Sequence, residues 1–135
     1  MSDPVWKWQA ALYNLAKNDA TLNAAVGGRI YLRPPSKPEC PYVYFGEVEL
    51  EPEPLYSDVA EKISTIAYVV SSAPDLHETT ALMYALRRAI DGKNVSVTGY
   101  HVMGVHYGGR KTYRPDTERR VGEMRWIGLL DPKNA

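Results

Sequence analysis

The chain has 135 residues, 16 Lys plus Arg against 16 Asp plus Glu, zero net charge, and 44% hydrophobic residues. That length and apolar fraction predict one domain over residues 1–135 and exclude wholesale disorder. Neutrality argues against a generic basic nucleic-acid binder, and one cysteine excludes an intrachain disulfide.

Residues 1–9 lack the apolar core of a signal peptide, and the longest apolar stretches, near Ile66 to Val70 and Val43 to Phe45, fall far short of the roughly 20 residues a bilayer span needs. A soluble protein with no membrane partner is expected. Ten tyrosines and three tryptophans stand against one phenylalanine. Tyrosine here reads first as strand filler. Its apolar body and polar tip also suit an interface.

Asp3-Pro4 predicts a helix start, followed by an apolar face of Val5, Trp8, Leu12, Leu15 and Ala16. Trp6, Ala10 and Tyr13 make a second stripe, which either widens the core contact or meets another protein. Asn18-Asp19 can restart a short helix that stops at Gly27-Gly28. Arg29-Ile30-Tyr31 is a short extended piece, and Pro34-Pro35-Ser36-Lys37-Pro38 is a loop.

Pro41 to Leu50 reads as a strand, and Glu51-Pro52-Glu53-Pro54 breaks its ladder. Lys62 to Ser72 is a second strand, so residues 51–61 form a long hairpin arm. Ser72-Ala73-Pro74-Asp75 opens a second major helix, with Leu76, Thr79, Met83, Leu86 and Ile90 on one face and a stop at Asp91-Gly92. Val95 to Tyr107 and Arg120 to Leu130 are two further strands, joined by a second arm over residues 108–118. The order helix, strand, strand, helix, strand, strand predicts an α+β domain. Its sheet would be four-stranded and mostly antiparallel, with two helices on one face and two long hairpin arms. The uncovered face is the first sign of a partner.

No chemistry stands out, and no catalytic, metal or cofactor residue is assigned. His77-Glu78 begins a metalloprotease helix signature, but Ala81 stands where the second histidine belongs. His101 and His106 are five apart on one predicted strand and so face opposite ways. Cys40 has no base nearby in sequence. Glu47, Glu49, Glu51 and Glu53 spread along a strand rather than converging on a cation. They read as a solvated edge that also discourages wrong strand pairing.

Charge segregation is more informative. Residues 47–61 hold six acids (Glu47, Glu49, Glu51, Glu53, Asp58 and Glu61) and no base. Residues 110–125 hold Arg110, Lys111, Arg114, Arg119, Arg120 and Arg125 against Asp116, Glu118 and Glu123. The bland reading is two solvated loops. The sharper one is that the acidic arm of one copy meets the basic arm of the next. Such a head-to-tail contact uses two different patches and closes into a ring where the rotation permits.

Several dispersed segments resemble one family. They are Asp19-Ala20-Thr21-Leu22, Gly28-Arg29-Ile30-Tyr31, Pro41-Tyr42-Val43-Tyr44-Phe45-Gly46, Val69-Val70-Ser71-Ser72, and the helix from Glu78 to Ile90. In this order and spacing the chain resembles the tail terminator, or tail-completion, family of long-tailed bacteriophages and gene transfer agents. The resemblance implies a structural, non-enzymatic subunit of a homohexameric ring. That ring sits on the head-proximal end of the tail tube, stops tube polymerisation and joins the head-completion or stopper protein. DNA passes transiently through its channel. It implies assembly in the bacterial cytoplasm and residence in the virion. The arms Glu47, Glu49, Glu51, Glu53 and Arg110, Lys111, Arg114, Arg119, Arg120 are the expected subunit or tube contacts, with Trp6 and Tyr13 as further candidates. The alternatives are another connector component (a stopper or minor tail protein), a small enzyme using Cys40 or a histidine, or a nucleic-acid-binding module.

Overall fold

In the computed structural model, which describes residues 3–133, the Asp3 carboxylate accepts the Val5 N–H at 2.8 Å and Pro4 takes the first helical position. Together they start α1 (Pro4–Lys17), as the sequence predicts. Trp8, Leu12 and Ala16 of its apolar stripe are fully buried, whereas Trp6 is 62% exposed. Asp19 caps α2 (Ala20–Ala25) through the Leu22 N–H at 2.9 Å. Gly27 and Gly28 end it with positive φ (59° and 78°), and the Gly28 N–H donates back to the Asn23 carbonyl at 2.8 Å.

The strands are β1 (Ile30–Tyr31), β2 (Tyr42–Pro52), β3 (Glu61–Ser71), β4 (Tyr100–Val102), β5 (His106–Tyr113) and β6 (Arg120–Pro132). The third helix, α3 (His77–Ile90), lies between β3 and β4. They form one sheet in the order β1-β2-β3-β6-β4, with β5 also on β6. β4 and β5 share that flank because β4 pairs with residues 130–132 of β6 and β5 with residues 121–127.

This corrects the predicted four-stranded sheet and its element order. The extended piece Ile30-Tyr31 becomes an edge strand, and it runs parallel to β2. The predicted strand from Val95 to Tyr107 is replaced by two short strands around Gly104, whose φ of 75° an extended strand excludes. The predicted arm over residues 108–118 is half strand: β5 continues to Tyr113, leaving a turn at residues 114–119. Three helices, not two, serve the covered face. Helical residues Trp8, Leu12, Leu22, Leu82, Met83 and Leu86 share one core with Val43, Phe45, Ile63, Val69, Met124, Trp126 and Leu130 of the sheet.

Leu76 departs from its predicted place on the α3 core face. It precedes the first turn and is 42% exposed, while Leu82 and Ala89 are buried. Among the described residues no helix is long and apolar enough to cross a membrane.

Candidate functional site

The face of the sheet opposite the helices is built by strand alternation. Tyr42 and Tyr44 of β2 stand opposite Val70 and Tyr68 of β3, which in turn stand opposite Val121 and Glu123 of β6. Tyr42, Tyr68, Val70 and Val121 bury one another there, with Tyr31, Cys40, Tyr44 and Ile66 around them. Ring centroids run Tyr31–Tyr42 at 6.1 Å, Tyr42–Tyr44 at 6.0 Å and Tyr44–Tyr68 at 4.6 Å. The tyrosine excess therefore serves both readings at once. It fills strands, and it fills the strand face that no helix covers.

Glu47 is exposed but is tied to this face. The Tyr68 hydroxyl lies 2.9 Å from both of its carboxylate oxygens and donates to them. Burial first, and then that bond, push the Tyr68 phenol well above its ordinary value. Burial and then hydrogen bonding to the Glu123 carboxylate push Tyr113 from 10.0 to about 12. The sign follows directly. In the unfolded chain both phenols begin to ionise near 10, while in the folded protein they stay neutral. The stability they contribute is complete below pH 10 and is lost as pH rises toward about 12 for Tyr113, and further up for Tyr68. Urea unfolding on either side of about pH 10 should show falling stability on the alkaline side. Tyr68→Phe and Tyr113→Phe should each flatten that slope, and an unchanged slope in both would refute the assignment.

The two charged arms lie at opposite ends of the sheet. The β2–β3 loop, residues 53–60, projects beyond the Pro52–Glu61 pair. The β5–β6 turn, residues 114–119, projects beyond the Tyr113–Val121 pair. Between these ends the β3–β6 register runs from Glu61–Leu130 to Ser71–Arg120. At roughly 3.3 Å per residue that is about 33 Å. The loop tips at residues 53–60 and 114–119 of one molecule therefore cannot pair with each other, and any contact between these tips joins two molecules.

At the acidic end, Glu49 is exposed and Glu51 lies 3.7 Å from Lys62, a cation just past the predicted acidic run. The loop is tied in place. The Glu53 N–H donates to the Ala60 carbonyl at 2.8 Å, and the Ser57 hydroxyl donates to Asp131 of β6 at 3.2 Å. Ser57 also accepts the Ala60 N–H at 3.0 Å. On this fixed loop Leu55 is 96% exposed, Tyr56 47% and Val59 45%. Met103 is also exposed, and the Tyr56 hydroxyl lies 3.6 Å from its sulfur.

At the basic end the cations are not equivalent. Lys111 lies 3.9 Å from Glu123 across the strands. Arg110 registers opposite Met124 and is exposed. Arg119 pairs with Asp116 at 3.2 Å, and the Glu118 and Arg119 N–H groups also donate to Asp116 at 2.9 Å each. Those backbone bonds first, and then Arg119, hold the Asp116 carboxyl below its ordinary range. Arg114 is exposed on the turn.

Arg120 is different in kind. It is buried, and its guanidinium donates to the Pro74 carbonyl at 2.7 Å and the Arg119 carbonyl at 3.2 Å. It ties the turn to the segment before α3 and has no free face for a partner. Beside it Pro74, Asp75, Leu76, Thr112, Tyr113 and Arg114 line a mostly apolar groove. Trp6 is exposed on α1, and Tyr13 packs partly against the main core.

Sequence reasoning found the charges and missed the apolar residues among them: Leu55, Tyr56 and Val59 at one end, Leu76 and Tyr113 at the other. The available signal was a leucine-tyrosine pair inside a Glu/Pro-rich loop, where burial in the chain's own core is hard to arrange. The histidines and the cysteine converge on nothing: His101 is on β4 and His106 on β5, both exposed. Burial pushes the Cys40 thiol up, away from the thiolate a nucleophile needs.

One sheet carries exposed apolar side chains at both ends, among acids at one end and mixed charges at the other, a pattern suited to contact with other proteins. The family model described as Tail completion protein gp17 matches residues 10–127. The chain belongs to that family of structural tail-completion proteins and is not an enzyme. In three dimensions it is similar to a chain of a solved structure titled "Virion of native gene transfer agent (GTA) particle". The TM-score is 0.85 at 20% identity, covering 96% of this chain and 98% of that one, so the two share a fold. No curated protein matches the sequence.

Proposed function

We propose that this protein is a tail terminator: a homohexameric ring on the head-proximal end of a tail tube in a phage or gene transfer agent particle. The ring halts tube polymerisation, presents its other face to a head-completion or stopper protein, and lets DNA through its channel. Assembly takes place in the bacterial cytoplasm. The observation that carries this reading is the placement of the acidic and basic hairpin ends at opposite ends of one sheet. Two unlike patches on a rigid body make a head-to-tail contact, which generates a ring when the rotation closes. Family membership and the fold shared with a chain of a gene transfer agent particle support the setting.

In this ring Glu49, Glu51 and Glu53 of one copy face Arg110, Lys111, Arg114 and Arg119 of the next. Opposite charge steers the encounter and fixes register, with most of the affinity left to apolar contact. Mixing the purified protein with tail tubes and imaging by electron microscopy tests the role. Rings on tube ends and a block to further growth are expected. Tubes that elongate with the protein present in excess would overturn termination. Binding at the head side alone would indicate a stopper instead.

A further inference from the structure

We infer that Leu55 is the apolar anchor between neighbouring copies, seated in the groove between Leu76 and Tyr113 of the next subunit. This rests on the head-to-tail reading above and adds what the charges do not supply. A leucine 96% exposed at the end of a hairpin gains nothing within its own chain. With Tyr56, Val59 and Met103 it forms an apolar knob flanked by the acids Glu53 and Asp58. The loop beneath is already fixed by the Ser57–Asp131 and Glu53–Ala60 bonds, so docking costs little ordering.

The complementary surface is at the other end of the same molecule. The groove of about 580 Å³ is walled by Pro74, Leu76 and Tyr113. Leu76 is 42% and Tyr113 37% exposed there, although both are large apolar side chains. The lining holds Arg114 and Arg120 against one acid, Asp75, and the adjacent turn adds Arg119 together with Asp116 and Glu118. An acidic apolar knob and an apolar groove match in polarity, and Arg114, outside the Arg119–Asp116 pair, is the cation available to Glu53 and Asp58. The groove floor is held by the bond from Arg120 to the Pro74 carbonyl, so it is present before the partner arrives. The occupant is therefore a second copy of this chain. Because knob and groove are different patches about 33 Å apart along the strands, each copy can serve as donor and acceptor together.

Disulfide trapping tests the contact. In a Cys40→Ala background, Leu55→Cys and Leu76→Cys are introduced singly and together, then oxidised with copper phenanthroline and dioxygen as electron acceptor. The double variant should give a ladder of covalent species beyond the dimer, because every copy carries both halves of the joint. Each single variant should stay largely monomeric, because the residue facing its cysteine across the joint is not a cysteine. A double variant that forms no ladder, or single variants that cross-link as readily as the double variant, would overturn the contact.

Leu55→Asp provides a second measurement, since the side chain is exposed and the monomer should keep its thermal midpoint. Its self-association in sedimentation should weaken by roughly tenfold or more, the size expected for losing a central anchor. Wild-type self-association in Leu55→Asp would also overturn the anchor. Either result leaves tube capping by the wild-type protein as a separate readout, so failure of this contact and failure of the terminator reading are distinguishable.

Discussion

Trp8→Ala should lower the unfolding free energy by about 3–5 kcal/mol, the range for deleting a fully buried large aromatic. Trp8 is 0% exposed and its indole N–H donates to the Thr65 hydroxyl at 2.8 Å. Its ring lies over Gly128 of β6, where an added Cβ would collide with it. The side chain thus joins α1 to β3 and to β6. Alanine would leave a cavity above Gly128 and a Thr65 hydroxyl without its donor in a fully buried site. For a domain whose whole stability is of the order of 5–15 kcal/mol, that is a large share. Urea unfolding followed by fluorescence of the remaining tryptophans gives the value directly. Trp8→Phe separates the two contributions, since it keeps much of the apolar volume and loses the hydrogen bond. A change below about 0.5 kcal/mol in Trp8→Ala, the range of ordinary surface substitutions, would show that the helix layer is not fixed to the sheet through this residue.

Reversing Arg114 and Arg119 together to glutamate should abolish ring formation or tube capping at physiological salt and leave the monomer folded. Both residues are exposed on the β5–β6 turn, away from the core. In the proposed ring the double change would turn two cations into two anions against an arm that already carries Glu49, Glu51, Glu53 and Asp58. Like-charge juxtaposition at an interface costs several kcal/mol, far more than a surface ion pair contributes. Arg119 also leaves its partner Asp116, but that pair is exposed and contributes little. A charge-swapped partner with Glu51→Lys and Glu53→Lys should restore co-assembly with the reversed variant. If the reversed protein assembled and capped tubes like the wild type, arm-to-arm charge pairing would be excluded. Arg120→Glu is a poor substitute, because that guanidinium is buried and bonded to the Pro74 carbonyl. Its loss would show as instability rather than as failed assembly.

The helices were legible because their signals are local. Asp3-Pro4 and Asp19 name their own caps, and the spacing of Trp8, Leu12 and Ala16 names the buried face. The long strands β2, β3 and β6 were legible for the same reason, since alternation runs through β2 after Gly46 and through β6, and β3 is rich in β-branched residues. The flank of β6 was not. Residues 95–113 contain enough Val, Tyr and His to pass for one strand and one arm. Positive φ at Gly99 and Gly104, of 91° and 75°, divides them into β4 and β5. No pattern in the sequence shows which glycine turns the chain and which lies within a strand. The parallel edge strand Ile30-Tyr31 was equally hidden, because two residues carry no period at all.

The candidate contact residues divide in the same way. Composition and order alone determined that the chain is one α+β unit of balanced charge, with its acids and bases in separate blocks, and gave a family resemblance that the match to the tail completion family supports. Only the tertiary structure decided what each charge is for. It placed Glu47 under the Tyr68 hydroxyl, folded Arg120 into the chain, and left Arg114 outside. It also set the two arms at opposite ends of the sheet, with Leu55 at one and Leu76 beside Tyr113 at the other. The reason is physical. Periodicity and capping act over a few residues, whereas the burial and partner of a side chain depend on strand register, which joins residues such as Tyr68, Glu123 and Lys111 that are far apart in the chain.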